Sequence, residues 1–416
     1  MLYIGCSKDQ IRFNEDHNIR PPRQEINSST DGFLEPSNPI ESEPIFCQNG
    51  YANGFPCLGI DLFSQITLSE FGSNFANDNW GWMDRETGKE YVIQGLNDGT
   101  AFIDISDPLN PIFLGKLPTA TENSTWRDIK VYKNHAFIVS EANNHGLQVF
   151  DLTRLRGLNS YQSFTEDARL TTFGSAHNIA INEDSGFAYV IGSQSYSGGP
   201  IFIDISDPQN PIEVGGYRNM GYSHDAQVVI YHGPDENYKD KEIFIGSNSD
   251  GGSNNRVVIV DVTDKEIPEL ITTKTYGNSG YAHQSWLSSD HRYLFFGDEL
   301  DEYYYGHKTK TLVFDISNLD SPNLYFTYEG TTNAIDHNGY VVGNKFYLSN
   351  YTAGLRVMDI SQIDNKVIDE IAFFDTYPES DIASFDGVWN VYPFFQSGII
   401  AIGDGLGGLF LVKTSE

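Results

Sequence analysis

The sequence predicts an all-β fold, a seven-bladed β-propeller whose ring is closed by an N-terminal strand that completes the last blade. Three observations carry this expectation. A strand of apolar residues followed by Asp, then Ile, Val or Leu, then Ser or Thr occurs six times, at Asp104, Asp151, Asp204, Asp261, Asp315 and Asp359. The gaps between these Asp residues run from 44 to 57 residues, the length of one four-stranded blade. A degraded seventh copy, Leu409 to Ser415, ends the chain one strand short of a full blade, and a strand-like run at 60–71 precedes the first full blade. Pairing the two removes two open sheet edges at once.

Read in order, the chain divides at about residue 45. Residues 1–45 read as a truncated lipoprotein-type signal and a disordered linker, because Cys6 follows a small residue and the next forty are rich in Pro, Ser, Asn and Glu. Acylation of Cys6 would anchor the protein without spanning the membrane. Residues 46–416 read as the propeller domain. Cys47 and Cys57 bracket a Gly- and Pro-containing loop in a chain with only 3 Cys, which suggests a disulfide in an exported protein.

The blades fall at about 74–120, 126–173, 174–219, 221–277, 280–330, 334–376 and 386–416 plus 60–71. Each shows runs of alternating or continuous apolar residues. In the third these are 178–182, 187–192, 200–205 and 212–217. The turn Ser-Asp-Pro-x-Asn-Pro follows the repeated Asp at 106–111 and again at 206–211. Asp at such a position bonds nearby backbone N–H groups, and Pro fixes φ, so the repeated Asp reads as a turn builder.

The net charge is −31, with 26 basic and 57 acidic residues. This repels nucleic acid and anionic headgroups, which excludes nucleic acid as a partner and leaves protein, peptide or glycan ligands. Membrane contact is expected only through the N-terminal lipid. There is no Gly-x-Ser-x-Gly, no phosphate-binding loop followed by Lys-Ser or Lys-Thr, and no His-Glu-x-x-His.

Several segments resemble the LVIVD-repeat family, exported bacterial β-propeller proteins, some of them termed choice-of-anchor B proteins. The segments are Trp126 to Tyr132, Ser175 to Ala180, Gly221 to Gln227, Gly297 to Glu302 and Ala334 to Asn338. The likeness runs from about Cys47 to the C-terminus. It implies an exported, often tethered propeller and brings no reaction or catalytic residues.

Counting 22 to 37 residues back from the repeated Asp places His177, His224, His283 and His337 at the starts of four first strands, each followed by Asn178, Asp225, Gln284 or Asn338. Arg127-Asp128 and Trp389-Asn390 hold the same place in two other blades. First strands line a propeller's channel, and the links between second and third strands open on the same face. Those links carry Glu141, Asp298 and Glu299, so Arg127, Asp128, Glu141, His177, His224, Asp225, His283, Asp298, Glu299, His337 and Trp389 form the expected ligand-binding mouth.

Four imidazoles suit a transition metal, which makes His177, His224, His283 and His337 the candidate ligands. The reading preferred over a metal for these positions is a water and hydrogen-bond network tying the blades together. Calcium is a further candidate, at the acidic run Asp298, Glu299, Asp301, Glu302 or at the oxygen-rich 249–254. The functional expectation is an exported or surface-anchored binding and interaction module. The alternative is an exported metalloenzyme with its ion at the channel mouth.

Overall fold

A computed structural model of the protein describes residues 43–249 and 254–415. Cys6, most of the expected linker and most of the oxygen-rich loop 249–254 lie outside the described residues. Seven antiparallel sheets form seven blades of a β-propeller. The inner strands are Ala76–Asp84, Arg127–Tyr132, Asn178–Asn182, Ser223–Ile230, Ala282–Leu287, Gly339–Val342 and Val388–Tyr392. The last blade takes its outer strand from Ile60–Ile66, which pairs antiparallel with Gly408–Thr414.

The six repeated Asp residues shape turns. Each accepts the backbone N–H two residues on, from Ser106, Thr153, Ser206, Thr263, Ser317 and Ser361, at 2.8–3.0 Å. This satisfies a donor the ladder leaves free and starts the link to the outer strand. Two of them also hold a lysine, Lys89 on Asp104 and Lys241 on Asp261.

The core lies between blades rather than within them. Middle strands alternate their side chains, so each blade buries one face on each neighbour. Phe102 stacks on Phe150 with ring centroids 4.3 Å apart, and Phe295 stacks on Phe346 at 4.9 Å. Phe102, Phe150 and Phe295 are sealed from solvent. Each such ring contributes about 1.5–3 kcal/mol of burial, so the interfaces hold the ring together.

Three local features differ from the sequence expectation. The strand expected over 60–71 stops at Ile66, and Leu68–Phe71 is a helical turn. Thr67 and Glu70 form a reciprocal capping box there, and Gly72 closes the turn with φ of 59°. The segment around the cysteines is a hairpin, Tyr51–Ala52 and Phe55–Leu58, rather than a loop. It adds to the outer edge of the sixth blade, with Cys57 opposite Phe374. Gln162–Ser163, from the second blade's sequence, pairs in parallel with the outer strand of the first. Both additions cover exposed strand edges.

Cys47 and Cys57 are joined by a disulfide with a Cα–Cα distance of 6.0 Å. Among the described residues no helix is long and apolar enough to cross a membrane. Replacing both cysteines with serine is expected to cost about 2–3 kcal/mol of unfolding free energy. Chemical denaturation of the two proteins measures it, and added reductant should lower the parent to the variant's value while leaving the variant unchanged.

Candidate functional site

The inner strands do not run as regular ladders at the mouth end. The register slips between Ser223 and Asp225, between Ala282 and Ser285, between Val388 and Asn390, and between Ala76 and Asn79. Each slip is a β-bulge, and a bulge re-aims the residues it carries. His224 meets the neighbouring histidines, and the next residue, Asp225, faces Lys130 and Asp128. Two consecutive side chains therefore serve the same channel.

The four predicted histidines form one arc. Ring centroids are 4.0 Å apart for His177 and His224, 4.3 Å for His224 and His283, and 4.2 Å for His283 and His337. Gly192, at φ of 68°, permits this approach: a Cβ there would lie 2.5 Å from the Cβ of His177.

Three of the four Nδ1 atoms are committed to the scaffold. His224 Nδ1 donates to the carbonyl of His283 at 3.1 Å, and His337 Nδ1 donates to the carbonyl of Trp389. His283 Nδ1 faces the carbonyl of His337 but stays short of hydrogen-bond geometry. A carbonyl acceptor requires Nδ1 to carry the proton, which leaves Nε2 as a lone-pair donor.

Burial pulls the His337 pKa down to about 3, and pulls His224 and His283 well below the usual value. These rings are neutral at neutral pH. His177 differs. Burial opposes its charging, but the Glu141 carboxylate, 2.7 Å from its Nδ1, outweighs burial and raises its pKa.

Glu299 completes the group. Its Oε1 lies 3.8 Å from His283 Nε2 and 3.7 Å from His337 Nε2, and accepts the Tyr351 hydroxyl at 2.9 Å. Burial pushes its pKa up to about 7. The possible ligand atoms of His283, Glu299 and His337 all lie within 4.8 Å of one another. Donors on one ion at about 2.0–2.1 Å each sit about 3.4 Å apart, so small side-chain adjustments complete such a site. His177 and His224 stand beside this trio rather than within it.

The other predicted residues take separate places. Arg127 is buried and turned to the link side, donating to the Leu96 carbonyl and contacting His145 Nε2 at 3.1 Å. Asp298 is saturated by the N–H groups of Gly280, Tyr281 and Leu300 and by the Tyr276 hydroxyl. Trp389 packs edge-on against His337 and Phe75.

Asp128 and Asp225 form a separate group around Lys130. Lys130 is 2.7 Å from Asp128 and 3.7 Å from Asp78. Burial pushes Asp78 up, whereas Lys130 and hydrogen bonds hold Asp128 down despite its burial. Next to Lys130, which lies over the Trp80 ring, Trp80, Trp286, Tyr340, Tyr392 and Phe394 pack edge to face or tilted with centroids 4.9–6.2 Å apart. These aromatics fill the channel rather than lining a ligand platform.

Two segments, residues 173–219 and 306–330, match the LVIVD repeat family model. The first is the whole third blade and the second is the outer half of the fifth. Similar solved structures include the β-propeller domain of Myceliophteria thermophila Cps50 (Swd1), at 12% identity and TM-score 0.56, covering 86% of this chain and 100% of that one. A protein from Lactobacillus plantarum follows at 13% identity and TM-score 0.53, covering 80% and 89%. A putative 6-phosphogluconolactonase from Bacteroides uniformis matches at 13% identity and TM-score 0.51, covering 72% and 86%. No curated protein matches the sequence. These likenesses establish the class, a seven-bladed β-propeller; the chain carries LVIVD repeats within it.

Asp225 offers a test of the channel's electrostatics. Burial raises its pKa to about 7, above its value in an unfolded chain. Its contribution to stability is therefore full below about pH 4 and lost as pH rises through about 7. Asp225→Asn removes that loss, so the variant should gain on the parent between pH 4 and 7, by at most about 4 kcal/mol. Unfolding curves across that range measure the difference.

Proposed function

We propose that the protein is an exported binding module whose working site is a first-row transition-metal ion at the channel mouth, held by His283, His337 and Glu299. One observation carries the reading: the Nε2 atoms of two neutral imidazoles, His337 and His283, converge on one buried carboxylate at 3.7 and 3.8 Å, too far for a hydrogen bond. A gap of that width between buried nitrogen and oxygen ligand atoms accommodates a cation. Imidazole nitrogen with one carboxylate suits zinc, iron, copper or nickel, and the His337 Nδ1 bond to the Trp389 carbonyl is the outer support such a ligand uses.

Export is supported by the Cys47–Cys57 disulfide. In this reading residues 1–45 act as signal and tether, Cys6 carries the lipid, and 46–416 is the propeller domain at the cell surface. Three protein ligands leave a coordination position for a peptide, protein or glycan group. A second reading, catalysis at the ion, is favoured by His177, whose raised pKa keeps a proton at the rim of the same arc.

Metal analysis of protein made under metal-replete export conditions tests the site. The His283→Ala/His337→Ala double variant should hold one equivalent less transition metal than the parent. Glu299→Gln should weaken binding about tenfold or more. Equal metal content in the parent and a folded double variant would overturn the proposal.

A further inference from the structure

A second set of carboxylates lies behind the first site, and nothing in the channel chemistry above uses it. Asp301, Glu302 and Asp336 are 4%, 2% and 1% exposed. Asp301 Oδ1, Glu302 Oε2 and both oxygens of Asp336 are buried away from any geometrically formed hydrogen bond to a donor, although the Asp301 and Glu302 carboxyls stand within reach of each other and Asp336 within reach of its own N–H. The other Glu302 oxygen is held by the Lys310 N–H at 3.0 Å. The fifth blade makes room for Asp336: a Cβ on Gly297 would stand 2.6 Å from its Oδ2. Asp336 and Asp301 are electrostatic neighbours, as are Asp336 and Glu302.

His307 closes the group. Its Nδ1 donates to the Lys308 carbonyl at 2.9 Å, so Nε2 is the lone-pair atom. That Nε2 is buried, unpartnered and 3.5 Å from Asp301 Oδ2. The possible ligand atoms of Asp301, Glu302 and His307 all lie within 4.8 Å of one another.

A buried polar atom left without a donor costs about 1–3 kcal/mol, and here ligand atoms of Asp301, Glu302 and His307 converge, with the Asp336 carboxyl as their electrostatic neighbour. The structure assigns to Asp301, Glu302 and His307, with Asp336 beside them, a second divalent-cation site, of the manganese(II), iron(II) or zinc class. Three carboxylates favour a hard ion, and the imidazole shifts the preference from calcium or magnesium to a first-row metal. Lys310 beside Asp301 offsets the remaining negative charge. This site is independent of the His283–His337–Glu299 trio, so either can fail alone.

Manganese(II) titrated into metal-stripped protein, with free ion read by electron paramagnetic resonance, tests it. The parent and the His283→Ala/His337→Ala variant should each bind manganese at this site, and calcium should compete less well. Asp301→Asn/Glu302→Gln should weaken binding about a hundredfold or more, and His307→Ala about tenfold. The Asn/Gln variant removes buried charge, so it should melt no lower than the metal-free parent, which separates lost ligands from lost fold. Failure of the parent to bind, unchanged affinity in the folded Asn/Gln variant, or tighter binding of calcium than manganese would overturn the assignment. The first two results would leave the cluster as carboxyl groups neutralised by protons.

Discussion

Side-chain latches between neighbouring inner strands hold the channel of this propeller in shape. Inner strands of a propeller splay apart and share no ladder, so their N–H groups need other acceptors. Asp78 accepts from Ile129, Asp128 from Ile179, Gln227 from Leu287 and Gln284 from Gly339, at 2.8–3.3 Å. Asn338 donates to Asn390, and Asn390 donates to the Asn79 carbonyl, which joins the last blade to the first. Between the third and fourth blades Glu242 does the joining, accepting from Asn182, Ser185 and Tyr189 and pairing with Lys265.

The histidine arc uses the same device one layer higher. A ring that gives its Nδ1 proton to the next blade's carbonyl cannot turn, and its Nε2 then faces the mouth. Structural latch and metal ligand are thus two ends of one side chain. Burial keeps the three later rings neutral, which is the state that both the latch and a metal require. His177 is the exception because Glu141 accompanies it, and it stands at the far end of the arc, with His224 between it and the trio.

The blade plan was legible because each blade repeats one periodic pattern, and the Asp ruler is a local turn signal with a local cause. Histidine register followed from that ruler, and the second-to-third-strand links brought Glu141 and Glu299 to the same face. The bulges were not legible, since nothing near Ser223 or Ala282 distinguishes a slipped ladder from a regular one. Hence neither the shared direction of His224 and Asp225 nor the latches of Gln227 and Gln284 followed from period-two reading. The stop at Thr67 was written in Thr-x-x-Glu but lay inside an apolar run that reads as strand. Asp336 was hidden for another reason: it comes from the sixth blade and meets the fifth-blade link that carries Asp301, Glu302 and His307 only through packing, and a plain acidic loop is indistinguishable from a solvated one until burial is known.

The central claim is that the converging Nε2 atoms and Glu299 form a coordination site and are not merely parts of a packed channel. A crystal of the parent protein grown with zinc and measured at the zinc absorption edge tests this directly. The account predicts an anomalous peak at bonding distance, about 2.0–2.1 Å, from Nε2 of both His283 and His337, with Glu299 as the third ligand. A water or no density at that point, with the two rings unmoved and zinc bound elsewhere, would contradict it.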